Sequence, residues 1–262
     1  MPRVSMKPDT LNVENRKFEQ TPLRQPLFIN SVPKSGTHLL RNIVRMFVPV
    51  EQQYHEQFIQ HPNLQQHLEA FNPEKNYLSW GHLLFSDASA IELANSRKVV
   101  LYRDPHTWVL ARARFFLSDE FSGNIDHVKG GRIRVEELLN LMILGIYQKV
   151  PSMLDLYVHN AVAWLGAGNT IVRYEDLVHA VKNIDSLESE VYFRKLLGDC
   201  GIDPVPEDWR ERVKVGADRK QSGTARENLS GLSVEIPNEL PEAQKKLIEF
   251  MAPGLRKMLG YE

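Results

Sequence analysis

The sequence predicts an α/β fold in one domain, with a central parallel β-sheet flanked by helices. Three observations carry this. Short β-rich apolar runs alternate with longer stretches of helical periodicity, which is the pattern of strands joined by crossover helices. The chain has 262 residues, 42% hydrophobic and 25% charged, enough to bury one sizeable core. No internal repeat, heptad run or low-complexity tract points elsewhere.

Taken in order, residues 1–25 read as a polar, proline-punctuated arm, and 26–262 as the domain. Leu27 to Val32 suits a buried strand, closed by the turn Pro33-Lys34-Ser35-Gly36. From Thr37, the apolar positions Leu39, Leu40, Ile43, Val44, Met46 and Phe47 recur at helical spacing until Pro49. "NYLSWGHLLF" and "RKVVLYR" are the next two strand candidates. Pro105 then sits where a helix starts, and "TWVLARARFFL" continues it. Residues 134–149 and 152–165 read as two helices separated by Pro151. "NTIVRYEDLV" gives a fourth strand, and the remainder is mostly helical apart from the polar stretch "GADRKQSGTARENLSG".

Composition narrows the function. Thirty-two basic against 33 acidic residues give a net charge of −1, so no global field favours nucleic acid, and any anion site must be local. Cys200 is the only cysteine. An intrachain disulfide is impossible, and the thiol is most simply a small buried apolar group in a reducing compartment. The opening residues lack the apolar core of a signal peptide, and no apolar run approaches about 18 residues. A cytoplasmic protein without integral membrane association is expected. His55, His61 and His67 are six apart and interrupted by Pro62, so they do not share a helix face, and no metal site is expected. The composition says nothing about oligomeric state.

The turn after the first strand holds more chemistry than a connection requires. A strand, a small-residue turn and a helix present backbone N–H groups and the positive end of a helix dipole, which suits a phosphate. Gly36 permits close approach of the backbone, Ser35 and Thr37 offer hydroxyls, and Lys34 supplies a cation. By itself the turn is equally compatible with a plain strand-to-helix connection. It is not the nucleoside-triphosphatase signature, because G-x-x-x-x-G-K-[ST] occurs nowhere in the chain.

Pro33-Lys34-Ser35-Gly36-Thr37, continuing to His38, resembles the 5′-phosphosulfate loop of sulfotransferases that use 3′-phosphoadenosine 5′-phosphosulfate (PAPS). Further segments follow in the family's order. "KVVLYRDP" resembles the strand that ends in the 3′-phosphate arginine, here Arg103, whose fork suits a phosphate. The serine that usually shares this phosphate is Ala111 here, with Arg112 and Arg114 nearby on a basic helix face. "SWGHLLF" is similar to the strand carrying the cytosolic family's catalytic base, which would be His82. Trp80 stands where a lysine is common, and is a candidate to line the acceptor pocket. "IVRYEDL" resembles the segment whose tyrosine, here Tyr174, approaches adenine. "RKQSGTAR" is similar to a shortened form of the late loop that closes over the donor, matching Arg219, Lys220, Gly223 and Arg226. Ala225 replaces a tryptophan there, and Leu39 replaces an aromatic after the first turn.

The resemblance spans Phe28 to about Arg226 and implies a P-loop-type nucleotide fold. It also implies transfer of a sulfuryl group from PAPS to a hydroxyl or amine of a small acceptor, leaving 3′-phosphoadenosine 5′-phosphate (PAP) and needing no metal. His82 would be the general base, and Lys34 would stabilise the leaving oxygen. The segments 54–71 and 115–134, rich in aromatics, histidine and glycine, would build or cover the acceptor pocket. Two other readings stay open. One is a nucleotide-dependent phosphotransferase, for which Asp104 and Asp176 are the candidate Mg²⁺ carboxylates. The other is a non-catalytic nucleotide-binding protein, favoured by Leu39, Ala111 and Ala225.

Overall fold

A five-stranded, all-parallel sheet organises the larger part of the chain, with spatial order β3 (Ile59–Gln60), β4 (Leu78–His82), β2 (Leu27–Ser31), β5 (Arg97–Tyr102) and β7 (Thr170–Arg173). The computed structural model describes residues 3–4, 8–55, 58–118, 121–123, 126–129, 131–223 and 235–261. Its strands are β1 (Arg3–Val4), β2 (Leu27–Ser31), β3 (Ile59–Gln60), β4 (Leu78–His82), β5 (Arg97–Tyr102), β6 (Phe121–Ser122) and β7 (Thr170–Arg173). The helices are α1 (Leu11–Asn15), α2 (Thr37–Arg45), α3 (Asp87–Glu92), α4 (Pro105–Leu117), α5 (Val135–Leu144) and α6 (Met153–Asn160). They continue with α7 (Tyr174–Lys182), α8 (Leu187–Asp199), α9 (Trp209–Ala217), α10 (Glu242–Met251) and α11 (Leu255–Met258). Among the described residues, no helix is long and apolar enough to cross a membrane.

The chain gathers into two compact units. One contains Pro8–Tyr102 and His159–Ser222 and holds the whole parallel sheet. Its strands are apolar on both faces because both are covered. Leu27, Ile29, Val99 and Leu101 enter one core with Leu40, Val44, Leu177, Phe193 and Trp209. The alternating Phe28 and Val100 enter a second with Tyr54, Ile59, Phe71 and Trp164. Chain order crosses from one side of β2 to the other between β4 and β5, so the crevice beyond the carboxyl ends of β2 and β5 is the switch point where such sheets bind ligands. The polar arm expected over residues 1–25 contains α1 and contributes Leu11 and Leu23 to the core. The short edge strand β3 has no sequence counterpart. Gly81 of β4 admits it, since a Cβ there would lie 1.9 Å from the Ile59 carbonyl oxygen.

The other unit contains Met1–Lys7, Arg103–Val158 and Gly223–Glu262. Here β1 and β6 form an antiparallel pair, and α4 packs with α5 and α10. Arg112 does not belong to a solvated basic face. It is buried, lies over the Trp108 ring, and donates to the Met142 and Pro151 carbonyls at 2.7 Å each. Burial lowers its pKa to about 10, which leaves it charged at neutral pH and explains why both carbonyls are recruited. Arg114 donates to the Pro237 carbonyl. Arg112 is thus committed to the fold, while Arg114, whose pKa burial lowers, also feels the charge of Arg103.

Candidate functional site

The turn after β2 has the backbone its sequence demands. Lys34 and Gly36 both take left-handed conformations, φ 70° and 95°, and Gly36 begins α2 as its N-cap. Ser35 N–H donates to the Val32 carbonyl, and Val32 N–H donates to Leu101, tying the turn to β5. The Ser35 hydroxyl is fully buried and has no hydrogen-bond partner among the described residues. Such an orphan costs roughly 1–3 kcal/mol, so a polar group kept there invites a ligand acceptor. With the first-turn N–H groups of a nine-residue helix beside it, the turn fits a phosphate or sulfate oxygen.

His82 ends β4, one strand over from this turn. Its Nδ1 lies 3.0 Å from the Ser31 carbonyl oxygen and 3.1 Å from the Ser31 hydroxyl. A carbonyl only accepts, so the ring proton is on Nδ1, and Nε2 carries the lone pair. Burial pushes the imidazole pKa down to about 4; the Ser31 hydrogen bond opposes this and the Lys34 charge adds to it. His82 is therefore neutral at pH 7. Ser31, which the sequence did not mark, bonds in turn to Thr37 at 2.7 Å through the hydroxyls.

Around His82, Phe58 lies 5.3 Å from the His82 ring, 5.4 Å from His38, and 5.9 Å from the Arg41 guanidinium. Trp80 is a core residue rather than a pocket wall: it is 4% exposed, with Arg41 over its ring at 5.0 Å. Period two along β4 puts Trp80 and His82 on one face, and α2 covers the first of them. Within the segment 54–71, Tyr54, Leu64, Ala70 and Phe71 also belong to the core, and Tyr54 bonds His67 at 2.8 Å.

Tyr174 opens α7 directly after β7, and its ring lies against Gly36, where a Cβ would come within 2.4 Å. Arg219 and Lys220 lie exposed in a short 3₁₀ turn capped by Asp218. This turn is tethered to α2, because Asn42 donates to the Gln221 carbonyl and the Gln221 side chain pairs with Thr10. Asn42, Gln221 and Thr10 carry no motif, so only the folded chain reveals the anchor.

In the other unit, Arg103 follows β5. Its Nε donates to the Thr107 hydroxyl at 2.9 Å, and its carbonyl accepts from Tyr157 at 2.7 Å. Thr107 stands one turn before Ala111 on α4, so this helix face has a hydroxyl although Ala111 has none. Asp104 caps α4 through His106 N–H and pairs bidentately with Arg256 at 3.0 Å. Asp176 is likewise paired with Arg173. Gly223 is buried at the end of the described loop, while Ala225 and Arg226 lie outside the described residues. Among the described residues, no group of three or more His, Cys, Asp or Glu side chains is placed to hold a metal ion. Cys200 is buried, and burial raises its thiol pKa to about 12, which makes it inert as a nucleophile.

No family model matches the chain, and no curated protein sequence does. Among solved structures, the chain is similar to the crystal structure of mouse sulfotransferase SULT7A1 complexed with PAP. The TM-score is 0.60 and the identity 14%, over 96% of this chain and 93% of that one. Retinol dehydratase in a complex with retinol and PAP aligns at a TM-score of 0.44 and 15% identity, over 91% of this chain and 81% of that one. Its complex with androsterone and inactive cofactor PAP gives 0.42 and 14%, over 91% and 80%. The fold is that of the mouse sulfotransferase structure: an α/β architecture around a central parallel sheet.

Proposed function

We propose that residues 26–262 act as a PAPS-dependent sulfotransferase domain, transferring a sulfuryl group to the hydroxyl or amine of a small acceptor in the cytoplasm. The observation that carries this is the arrangement at the carboxyl end of the sheet. A phosphate turn with an orphan buried hydroxyl on Ser35 stands beside His82, an imidazole held neutral with its lone pair on Nε2.

The chemistry divides among the chain's own residues. His82 Nε2 takes the acceptor's proton as the acceptor oxygen forms its bond to sulfur, a general-base contribution of about 10²- to 10⁴-fold. The bond from sulfur to the bridging oxygen breaks, and its electron pair stays on the phosphate of the departing PAP. Lys34, with the N–H groups at the start of α2, stabilises that oxygen. Ser35 and Thr37 hold the 5′-phosphate side, and Tyr174 approaches adenine beside Gly36. The family resemblance gives the 3′-phosphate to Arg103, Arg219, Lys220, Gly223 and Arg226, and a donor held there would be fixed for in-line attack. Support for this use of Arg103 comes from its orientation by Thr107.

The phosphotransferase reading has less to stand on, since Asp104 and Asp176 are each paired with an arginine. Calorimetric titration decides between the two. Charge-assisted hydrogen bonds of about 1.5–3 kcal/mol each favour PAP over 5′-AMP by at least about tenfold. Equal affinity for PAP and 5′-AMP, or tighter binding of ATP with Mg²⁺, removes the donor assignment. Turnover of PAPS with a panel of hydroxylated acceptors separates an enzyme from a protein that only binds the nucleotide.

A further inference from the structure

The turn and His82 are joined by a continuous hydrogen-bonded chain. His82 Nδ1–H is shared between the carbonyl and hydroxyl oxygens of Ser31, at 3.0 and 3.1 Å. Because the Ser31 hydroxyl accepts from the ring, its own proton goes to another acceptor. Thr37 Oγ1 at 2.7 Å is much closer than the Gly81 carbonyl at 3.4 Å. Either hydroxyl of this pair can donate; an anion at Thr37 selects the arrangement in which Ser31 donates and Thr37 turns its own proton away from Ser31. All members are held in place: Ser31 is fully buried, Thr37 is 4% exposed at the first position of α2, and His82 closes its strand.

We infer that Ser31 is a positioning residue that couples the phosphate turn to the base, so that donor bound at Thr37 orients and polarises the His82 imidazole. This deepens the sulfotransferase reading and rests on it. Each bond in such a chain polarises the next, most strongly where the dielectric is low. When Nε2 takes the acceptor's proton, the imidazolium strengthens its Nδ1–H bond to Ser31. That strengthens Ser31 as a donor to Thr37, and Thr37 as a donor to the donor's phosphate oxygens. Positive charge arising at the base is thus felt where negative charge collects on the leaving group. No proton crosses the chain: Ser31 and Thr37 end the reaction in the form in which they began, and His82 returns to neutral by releasing the acceptor's proton from Nε2 to solvent. The coupling is reciprocal: phosphate binding at Thr37 fixes the direction of the Ser31 hydroxyl and with it the ring.

The test follows His82 in uniformly ¹⁵N-labelled protein, at neutral pH, as PAP is added. In the wild-type chain, the His82 Nδ1–H signal is expected to move on saturation, together with the amides of Gly36 and Thr37. In Ser31→Ala the amides still move and the ring signal does not, whereas Ser31→Thr restores the ring response. The turnover number falls about tenfold in Ser31→Ala, the equivalent of one hydrogen bond, with the KM for PAPS within about twofold of wild type. A purely packing role lowers the melting temperature of Ser31→Ala and leaves the ring response to PAP intact, which overturns the coupling. A wild-type ring that stays still while the Gly36 and Thr37 amides shift overturns it as well, without needing a folded variant. Amides that do not respond to PAP at all overturn the donor reading itself.

Discussion

The two ends of α2 handle polar groups in opposite ways. At the C-terminal end, Arg45 is 4% exposed and meets Asp9 at 2.8 Å, Asn12 at 2.8 Å and Gln53 at 2.9 Å. The carbonyl of Arg45 at the helix end and that of Val48 just beyond it are satisfied there too, since Asn15 and Gln53 each donate to both. At the N-terminal end, an equally buried Ser35 hydroxyl has no partner among the described residues, and Lys34 sits in a left-handed conformation. One end uses its polarity to hold the fold, and the other leaves a buried hydroxyl without a partner among the described residues. Burial alone therefore does not classify a polar residue; the saturation of its hydrogen bonds does.

The contrast can be broken first at its structural end. Arg45→Met leaves Asp9 without its strongest partner. Burial raises the Asp9 carboxyl pKa, but the hydrogen bond and charge of Arg45 more than offset this and hold it below its ordinary value. The variant is expected to lose about 3 kcal/mol of stability, read by urea unfolding, while the folded fraction keeps wild-type affinity for PAP. A matching loss of PAP affinity would show that the two ends are not separable.

At the other end, Lys34→Ala is expected to lower the turnover number by about two orders of magnitude, as removal of one stabiliser of developing charge does. The KM for PAPS should change much less, because the ground state carries less charge on the bridging oxygen. A raised KM with unchanged turnover number would make Lys34 an anchor only. His82→Gln should fold, bind PAP nearly as well as wild type, and lose about two orders of magnitude in rate. In the wild-type chain, kcat/KM should stay level from neutral pH down to about 5 and fall as the imidazole protonates near 4. The same group affects stability: its folded pKa lies below its unfolded value of 6.5, so the unfolded chain binds more protons between these values. Stability should therefore decline as pH drops through that window, and His82→Gln should reduce the decline.

The smallest expected effect has the most informative sign. Ser35→Ala removes a buried hydroxyl without a partner, so the unliganded protein should gain up to about 1 kcal/mol in stability. PAP binding should weaken by about tenfold, the loss of one hydrogen bond to a charged oxygen. Thermal melting with and without PAP reads both quantities from one sample. A loss of stability in the unliganded protein would mean that Ser35 serves the fold.

Period and punctuation made much of the fold legible. Leu27 to Val32, "NYLSWGHLLF", "RKVVLYR" and "NTIVRYEDLV" contain β2, β4, β5 and β7. Pro105 opens α4 as its position suggests. Where period was the only guide, boundaries drifted: the helix expected to run from Thr37 to Pro49 ends at Arg45, where side chains distant in sequence cap it. β3 was invisible, because its two residues offer no pattern and depend on a glycine in the neighbouring strand. The candidate site was legible where chemistry sits in one contiguous turn. It was hidden where it depends on residues that only folding brings together, as with Ser31 between Thr37 and His82, Thr107 on Arg103, and Asn42 on the late loop. Trp80 misled because an aromatic beside a candidate base suggests a pocket, whereas Arg41 and the core already enclose it.

The contact between Tyr174 and Gly36 bears on how chains of this kind can diverge. A side chain at position 36 would collide with the ring and would also have to adopt φ 95°. Neither obstacle is removed by changing only the turn. Among related chains, a residue other than glycine should therefore occur at this position only together with a smaller residue at the tyrosine position, and rarely even then. A search that scores the two positions as a linked pair should recognise distant relatives that the turn alone is too short to identify.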